Sequence, residues 1–356
     1  MERTRGIGTL STQMRRKVGN PATKSKIEYD GDFGTIISTG STLLDLNISG
    51  GRVRGGGLPG GILVEIFGHS GSGKTVLLSE IAGAVQRQGG EIKFADPEAR
   101  LNKQFAKIFG LDLYDEDYSR PDTVPEVFGP VRTWKPHSTK VINGIFADSL
   151  AALSTDQEMG KDEGDKMGMR RAKEFSEECR KTCRILSQNN YLMVCSNQVR
   201  ENIGATEYEV KFSSPGGMAI GFYASLRLRA MAPSKIKKTL SKDGDDDKKK
   251  KVPERIIGVR TEIEVFKSSI WKPFRKAHVT ILFDYGIDDI RENLQYIKET
   301  TKSAVYSVGG ISLSNSMDSA IKRVEHDGLE DELKENVIDL WEDMESKFDL
   351  DRKAKR

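Results

Sequence analysis

Apolar and polar positions divide this chain into regions of different rhythm. Ile62-Leu63-Val64-Glu65-Ile66-Phe67 is almost continuously apolar and rich in β-branched residues, the pattern of a strand buried on both faces of a parallel sheet. Leu77, Leu78, Ile81, Ala82 and Val85 then recur at helical spacing and predict a helix over 74–87. Further apolar runs predict strands at 91–95, 141–147 and 192–196, with helices at 101–109 (stopped by Gly110) and 170–188. Strands alternating with helices imply βαβ units and a mainly parallel α/β sheet. Past Gly217 the rhythm changes: 225–231, 255–266 and 276–283 read as successive strands, so an antiparallel extension is predicted. After Gly286 the chain reads as helical. There Leu333, Val337, Leu340, Trp341, Met344 and Phe348 form a stripe at helical spacing, predicted to be core rather than a binding face.

The domain division comes from these shifts. Residues 1–33 read as a basic arm or a short helix (10–18) rather than a domain, 34–286 as the main domain, and 287–356 as a small acidic C-terminal domain. Net charge is only +3 over 356 residues, but it is segregated. Residues 1–30 carry seven Lys/Arg against three Asp/Glu, 234–251 eight Lys against four Asp, and 325–351 twelve acids against two Lys. Such asymmetry fits a polyanionic partner, and equally a set of solvated faces. The 233–254 tract reads as a flexible hairpin loop, too polar to bury itself. No apolar run is long enough to span a bilayer. The basic N-terminus has no apolar stretch of the secretory kind. The three cysteines, Cys179, Cys183 and Cys195, suit neither a disulfide framework nor a zinc site. A cytoplasmic protein is expected.

The chemistry is concentrated in Gly68-His69-Ser70-Gly71-Ser72-Gly73-Lys74-Thr75, followed by Val76. This G-x-x-x-x-G-K-[ST] run lies between a predicted strand and a predicted helix, the context that makes it a phosphate-binding loop. Glycines allow successive backbone N–H groups to face phosphate oxygens, and the helix N-terminus adds positive charge. Lys74 would reach the β- and γ-phosphates and Thr75 would ligate Mg²⁺. Asp148 ends a predicted strand, where a second carboxylate could serve the metal or simply cap the next helix. Asp96-Pro97-Glu98 ends another and offers two acids for orienting water. Glu98 is favoured over an ordinary loop acid. Gln198 closes a third strand, either as a γ-phosphate sensor or as a plain polar terminus.

In order and content these segments resemble RecA-type recombinases over residues 35–290. The likeness is carried by Ser38-Thr39-Gly40-Ser41-Thr42-Leu43-Leu44-Asp45, the phosphate loop, Asp96-Pro97-Glu98-Ala99, Asp148-Ser149-Leu150-Ala151-Ala152-Leu153, Met167-Gly168, Asn197-Gln198-Val199-Arg200, Pro215-Gly216-Gly217-Met218-Ala219 and Phe222–Leu228. The resemblance implies a P-loop NTPase core with a mostly parallel twisted sheet and helices on both faces. It implies a DNA-dependent ATPase using ATP and Mg²⁺ that forms helical filaments on single-stranded DNA and pairs that strand with homologous duplex. Glu98 would activate water, Asp148 would hold the metal through water, and Gln198 would couple the γ-phosphate to the second DNA loop. Phe105 would stack on adenine, with a place in the helix core as the alternative. The DNA loops would be 154–169 and 199–217, with Met167, Gly168, Arg170, Arg171, Arg200, Lys211, Ser213, Ser214, Gly216, Gly217 and Met218 at or beside the strand.

The sequence also departs from the family. Lys267 keeps the first of two lysines that the family inserts from a neighbouring subunit, whereas Ser269 stands at the second, with Lys272 nearby. Slower hydrolysis is expected from that loss. The N-terminal arm lacks the family's longer packing helix, leaving Ile7, Leu10 and Met14 to dock on a neighbour. The acidic C-terminus would compete with DNA or serve solubility. A single-strand-binding protein and a loading mediator are expected partners, in a bacterial cell or a phage-infected host. The readings set against a recombinase are a hexameric helicase or remodelling ATPase on the same core, and a non-hydrolysing ATP-bound DNA-binding paralogue.

Overall fold

A computed structural model describes residues 34–101, 103–154, 167–201, 212–213, 218–239, 253–348 and 352. The expected helix at 10–18 lies outside them. The parallel strands are β1 (Ile62–Gly68), β2 (Ile92–Ala95), β3 (Tyr118–Ser119), β4 (Asn143–Ala147), β5 (Tyr191–Gln198) and β6 (Leu226–Ala230). Helices α1 (Lys74–Arg87), α2 (Lys103–Ile108), α3 (Val124–Thr133), α4 (Met167–Asn189) and α5 (Met218–Tyr223) connect them. The antiparallel part is β7 (Ser234–Thr239), β8 (Glu254–Ser268), β9 (Lys276–Leu282) and β10 (Gly286–Ile287). Among the described residues this makes a ten-stranded sheet in the order β10-β9-β8-β6-β1-β5-β4-β2-β3, with β7 added to β8. The switch from parallel to antiparallel falls between β6 and β8.

Alternate side chains of the central strands enter two separate cores, as a period of two requires when both faces are covered. Val64, Ile66, Phe146, Leu192 and Val194 pack with α1. Leu63, Ile145, Met193 and Cys195 pack with α3, α4 and α5. The 15 residues of β8 are long enough to pair with β6, β9 and β7 in turn.

Two expectations are corrected here. Residues 234–239 are not loop: they form β7, paired antiparallel with 254–260. The exposed lysines sit on a sheet edge, where charge suits solvent, and Lys237 pairs with Glu254 at 2.5 Å. The predicted stripe Leu333–Phe348 is buried at Leu333, Val337 and Trp341, but Phe348 is 72% exposed, because α8 (Glu330–Ser346) ends before it.

Before α8 come α6 (Asp289–Thr301), a hairpin of β11 (Tyr306–Val308) and β12 (Ile311–Ser314), and α7 (Met317–Asp327). Their apolar residues Leu294, Val324, Val337 and Trp341 belong to the same core as α1 and β9. Arg275 lies 4.0 Å from the Trp271 ring and pairs with Glu345, tying α8 to the β8–β9 turn. Arg54 meets Glu335, Asp339 and Glu342 of the same helix at 2.7–2.8 Å. The three cysteines are free, and no helix among the described residues is long and apolar enough to cross a membrane.

Candidate nucleotide site

Parallel strands deliver their C-terminal ends to one edge, and the loops beyond them build the site. The strand order β1-β5-β4-β2 brings Gly68, Gln198, Asp148 and Glu98 to neighbouring positions along that edge. Register sharpens this: Gly68 lies opposite Gln198, and Ala147 opposite both Cys195 and Ala95. Lys74, Thr75, Val76, Glu98, Asp148 and Gln198 line one cavity of ≈ 410 Å³.

The loop from Gly68 to Thr75 has the conformation its glycines permit. Gly73 immediately precedes α1 with φ of 87°, and a Cβ there would stand 2.3 Å from Ile281 Cδ1. A Cβ on Gly68 would meet the Ala230 carbonyl oxygen at 2.1 Å, so β6 can pair closely only with glycine at that point. Ser72 Oγ donates to the His69 carbonyl at 2.8 Å, closing the loop on itself. Lys74 Nζ donates to the Gly68 and His69 carbonyls at 3.0 and 2.7 Å. Burial lowers the affinity of Lys74 for its proton, while Asp148 and Glu98 act the other way.

Asp148 is half-buried, and the loss of solvent around it pushes its carboxyl above the usual range, against hydrogen bonds from the Ser196 and Thr75 hydroxyls. The carboxylate and the Thr75 hydroxyl together are a hard oxygen donor set. Magnesium commonly takes one or two protein oxygens beside water and phosphate, so these residues fit it.

Glu98 is bound on both oxygens. Oε1 accepts from Ser149 Oγ and from Gln198 Nε2, each at 3.1 Å, and Oε2 meets Arg100 Nη1 at 2.7 Å. Asp96, the other acid of that segment, accepts from the Leu101 amide and the Tyr118 hydroxyl at 2.8 Å. It therefore shapes the turn that carries Glu98. The Gln198 backbone is held in turn: its main-chain N–H donates to Asn197 Oδ1 at 3.0 Å, and Asn197 Nδ2 donates to the buried Glu65 at 3.0 Å.

Sequence reasoning missed two parts of this cavity. One is Arg100. The other is an apolar wall of Val259, Ile281 and Phe283, contributed by β8, β9 and the turn after them. Phe283 is 44% exposed at its rim, an aromatic surface suited to a base. Only the alternation of β9 hinted at that wall.

Of the other expected residues, Phe105 lies on α2, and Met167, Gly168 and Arg170 on the first turn of α4. Met218 opens α5. Arg200 pairs in register with Ser213 in a short antiparallel ladder at the base of the second loop. Of these residues the backbone alone is described. Lys211, Ser214, Gly216 and Gly217 lie outside the described residues. Arg171 Nη2 donates to the Leu150 and Ala151 carbonyls at 3.1 and 2.8 Å, so this guanidinium holds the turn after Asp148. Lys267 is not part of the cavity. Its Nζ donates to the Gly221 and Phe222 carbonyls at 3.0 and 2.8 Å, at the end of α5. Ser269 hydrogen-bonds the Ser225 carbonyl at 3.2 Å.

Comparison with known proteins agrees with this architecture. The family model for the RecA N-terminal domain matches residues 12–288, reaching into the basic segment that the sequence pattern sets apart. Protein RecA of Anaplasma marginale (strain Florida) is 31% identical over 324 residues, covering 90% of this chain and 84% of that protein. Protein RecA of Thermus thermophilus is 33% identical over 257 residues, 72% of this chain and 69% of that protein. Protein RecA of Rippkaea orientalis is 30% identical over 332 residues, 91% and 88% of the two chains. With a phosphate loop, Asp148 and Glu98 gathered on one sheet edge, and a family match over most of its length, this chain belongs to the RecA family of recombinases.

Proposed function

We propose that this chain is an ATP-dependent homologous recombinase that assembles as a helical filament on single-stranded DNA and pairs that strand with homologous duplex, in the cytoplasm of a bacterial cell or phage-infected host. The observation that carries the reading is the contact between Gln198 and Glu98 beside the phosphate loop. It joins a group able to act on water to the strand that leads directly into the second loop.

In this reading Lys74 and the backbone amides of Gly71 to Thr75 hold the phosphates. Mg²⁺ held by Thr75 and, through water, Asp148 would neutralise charge on the β- and γ-phosphate oxygens. Glu98 receives a proton from water as the water oxygen bonds to the γ-phosphorus. The bond from that phosphorus to the bridging oxygen breaks, and its electron pair leaves with ADP. The Gln198 side chain amide is shared between Glu98 and the γ-phosphate, so its position reports which nucleotide is bound. Because Arg200 and Glu201 come next, at the base of the second loop, that report would reach DNA. Lys267 would enter a neighbouring subunit's site from the end of α5. Residues 154–169 and 199–217 would contact the DNA backbone without reading sequence. Residues 1–33 would serve assembly, 34–286 catalysis and DNA binding, and 287–356 an acidic accessory role.

ATP turnover measured with and without single-stranded DNA, beside electron microscopy of filaments with ATP and ADP, tests the reading. DNA-stimulated turnover and ATP-dependent filaments are expected, both lost in Lys74→Ala. Filaments that form equally with ATP, with ADP and without nucleotide would refute it, and closed hexamers would favour a helicase.

A further inference from the structure

The site of a RecA-type ATPase needs cations around the terminal phosphate, because negative charge spreads over its oxygens as the bond breaks. Ser269 supplies no such charge, and Lys272 stacks 5.3 Å from the Trp271 ring, away from the cavity. The cavity does contain a second cation of its own. Arg100 lines it together with Ser70, Gly71, Lys74 and Thr75. The chain reaches this position through a left-handed turn: Ala99 has φ of 52°, its amide donates to the Asp96 carbonyl at 3.1 Å, and the turn brings Arg100 back beside Glu98. The Arg100 side chain is 77% exposed whereas Glu98 is 16% exposed, so Glu98 is enclosed by its partners and Arg100 has solvent, not packing, around most of its length. Its ion pair with Glu98, at 2.7 Å, is exposed on one side and therefore weakly held. A guanidinium pairs with phosphate as a fork, often bidentately, and more strongly than with a single carboxylate oxygen.

We infer that Arg100 is a catalytic cation of this site, exchanging its guanidinium between Glu98 and the terminal phosphate of bound ATP and so standing in, from within the chain, for the charge that Ser269 does not bring from a neighbour. The inference rests on the ATPase reading above. When Arg100 moves to the phosphate it stabilises the charge developing there and leaves Glu98 free to accept the proton from water. Bound ADP, with no terminal phosphate to take the guanidinium, leaves the ion pair in place.

The test compares wild type, Arg100→Gln and Arg100→Lys. Turnover is read as kcat and KM, and the affinities for ADP and for a non-hydrolysable triphosphate analogue are read separately by titration. Thermal unfolding serves as the control for folding, and the exposure of Arg100 makes it insensitive to the change. In Arg100→Gln, kcat is expected to fall on the order of 100-fold or more. Triphosphate affinity is expected to weaken about 10-fold while ADP affinity holds within about two-fold, and Arg100→Lys should recover part of the turnover. A rise in kcat would make Arg100 only a restraint on Glu98 and overturn the inference. Equal weakening for ADP and triphosphate, or no change at all, would overturn it as well. Absence of ATP turnover in the wild type would instead bring down the ATPase reading beneath it.

Discussion

Gln198 Nε2 donates to Glu98 Oε1 at 3.1 Å, a contact between two residues 100 positions apart that come from different strand ends. The parallel sheet makes it possible: β5 and β2 flank β4, so their exits share one edge. A neutral amide on a carboxylate orients that group without removing its charge. Hydrogen bonds to charged groups are worth about 1.5–3 kcal/mol, enough to decide where Glu98 points.

Gln198→Ala is therefore expected to lower DNA-stimulated ATP turnover roughly 10- to 100-fold while nucleotide affinity stays near wild type. The stimulation ratio should fall towards one if, as proposed, the side-chain amide links the site to the second loop. Steady-state turnover over a series of single-stranded DNA concentrations checks this, and intact stimulation would place the coupling elsewhere.

Glu98→Gln keeps the shape of the side chain but removes the carboxylate proposed to accept the proton from water. Turnover is expected to drop roughly 100- to 10,000-fold, the usual contribution of a positioned base. ATP affinity should hold or improve, since a carboxylate near the phosphates is gone. Single-turnover kinetics with titrated nucleotide separates the two effects. Near-normal turnover would assign water activation to another group.

Much of this site was legible in the sequence because its parts are local. The helix predicted over 74–87 is α1, Lys74–Arg87, since a glycine-rich loop and an apolar stripe bound it unambiguously. Asp148, Glu98 and Gln198 come after apolar runs whose ends are easily read. The hidden parts depend on geometry that no short window contains. Arg100 reaches Glu98 only through the turn at Ala99. The wall of Val259, Ile281 and Phe283 depends on strands that pair well over a hundred residues after the loop they face. The strand β7 was obscured by its lysines, which have little strand preference by themselves and are held by pairing with β8. Helix α3 has a start signal that is local: Glu126 Oε2 accepts from the Thr123 amide at 3.2 Å in a capping box, with proline in the first turn.

Glu65 is fully buried in β1, and its partner Arg227 meets it at 2.6 Å while stacking 4.4 Å from the Phe67 ring. Arg227→Met would leave that carboxylate uncompensated, at a cost of about 3–5 kcal/mol. Chemical denaturation should show that loss, and the double variant Glu65→Gln/Arg227→Met should recover much of it. Because Glu65 also holds Asn197, and Asn197 holds the backbone N–H of Gln198, the single variant should reduce DNA stimulation too. Full stability in Arg227→Met would mean the pair contributes nothing net.

Glu80 gives the fold a dependence on pH. It sits on α1 against Gly40 and Gly286. Burial pushes its carboxyl up to about 7, opposed by the Ile287 backbone and by Arg87. Asp45, buried beneath Ser38 and Thr39, is pushed up to about 6 by the same cause. Linkage sets the sign. A carboxyl whose folded-state value is raised binds its proton more tightly in the folded chain. Its contribution to stability is then fully present below the unfolded value of 4.5 for Glu80. It is lost as pH rises through about 7, where the folded chain must bear a buried charge. At pH 8 the wild type should therefore be less stable than Glu80→Gln by on the order of 2 kcal/mol, whereas near pH 4 the two should agree. Denaturation midpoints between those limits should converge as pH falls. A gap that is constant across the range would show that Glu80 is not titrating with folding.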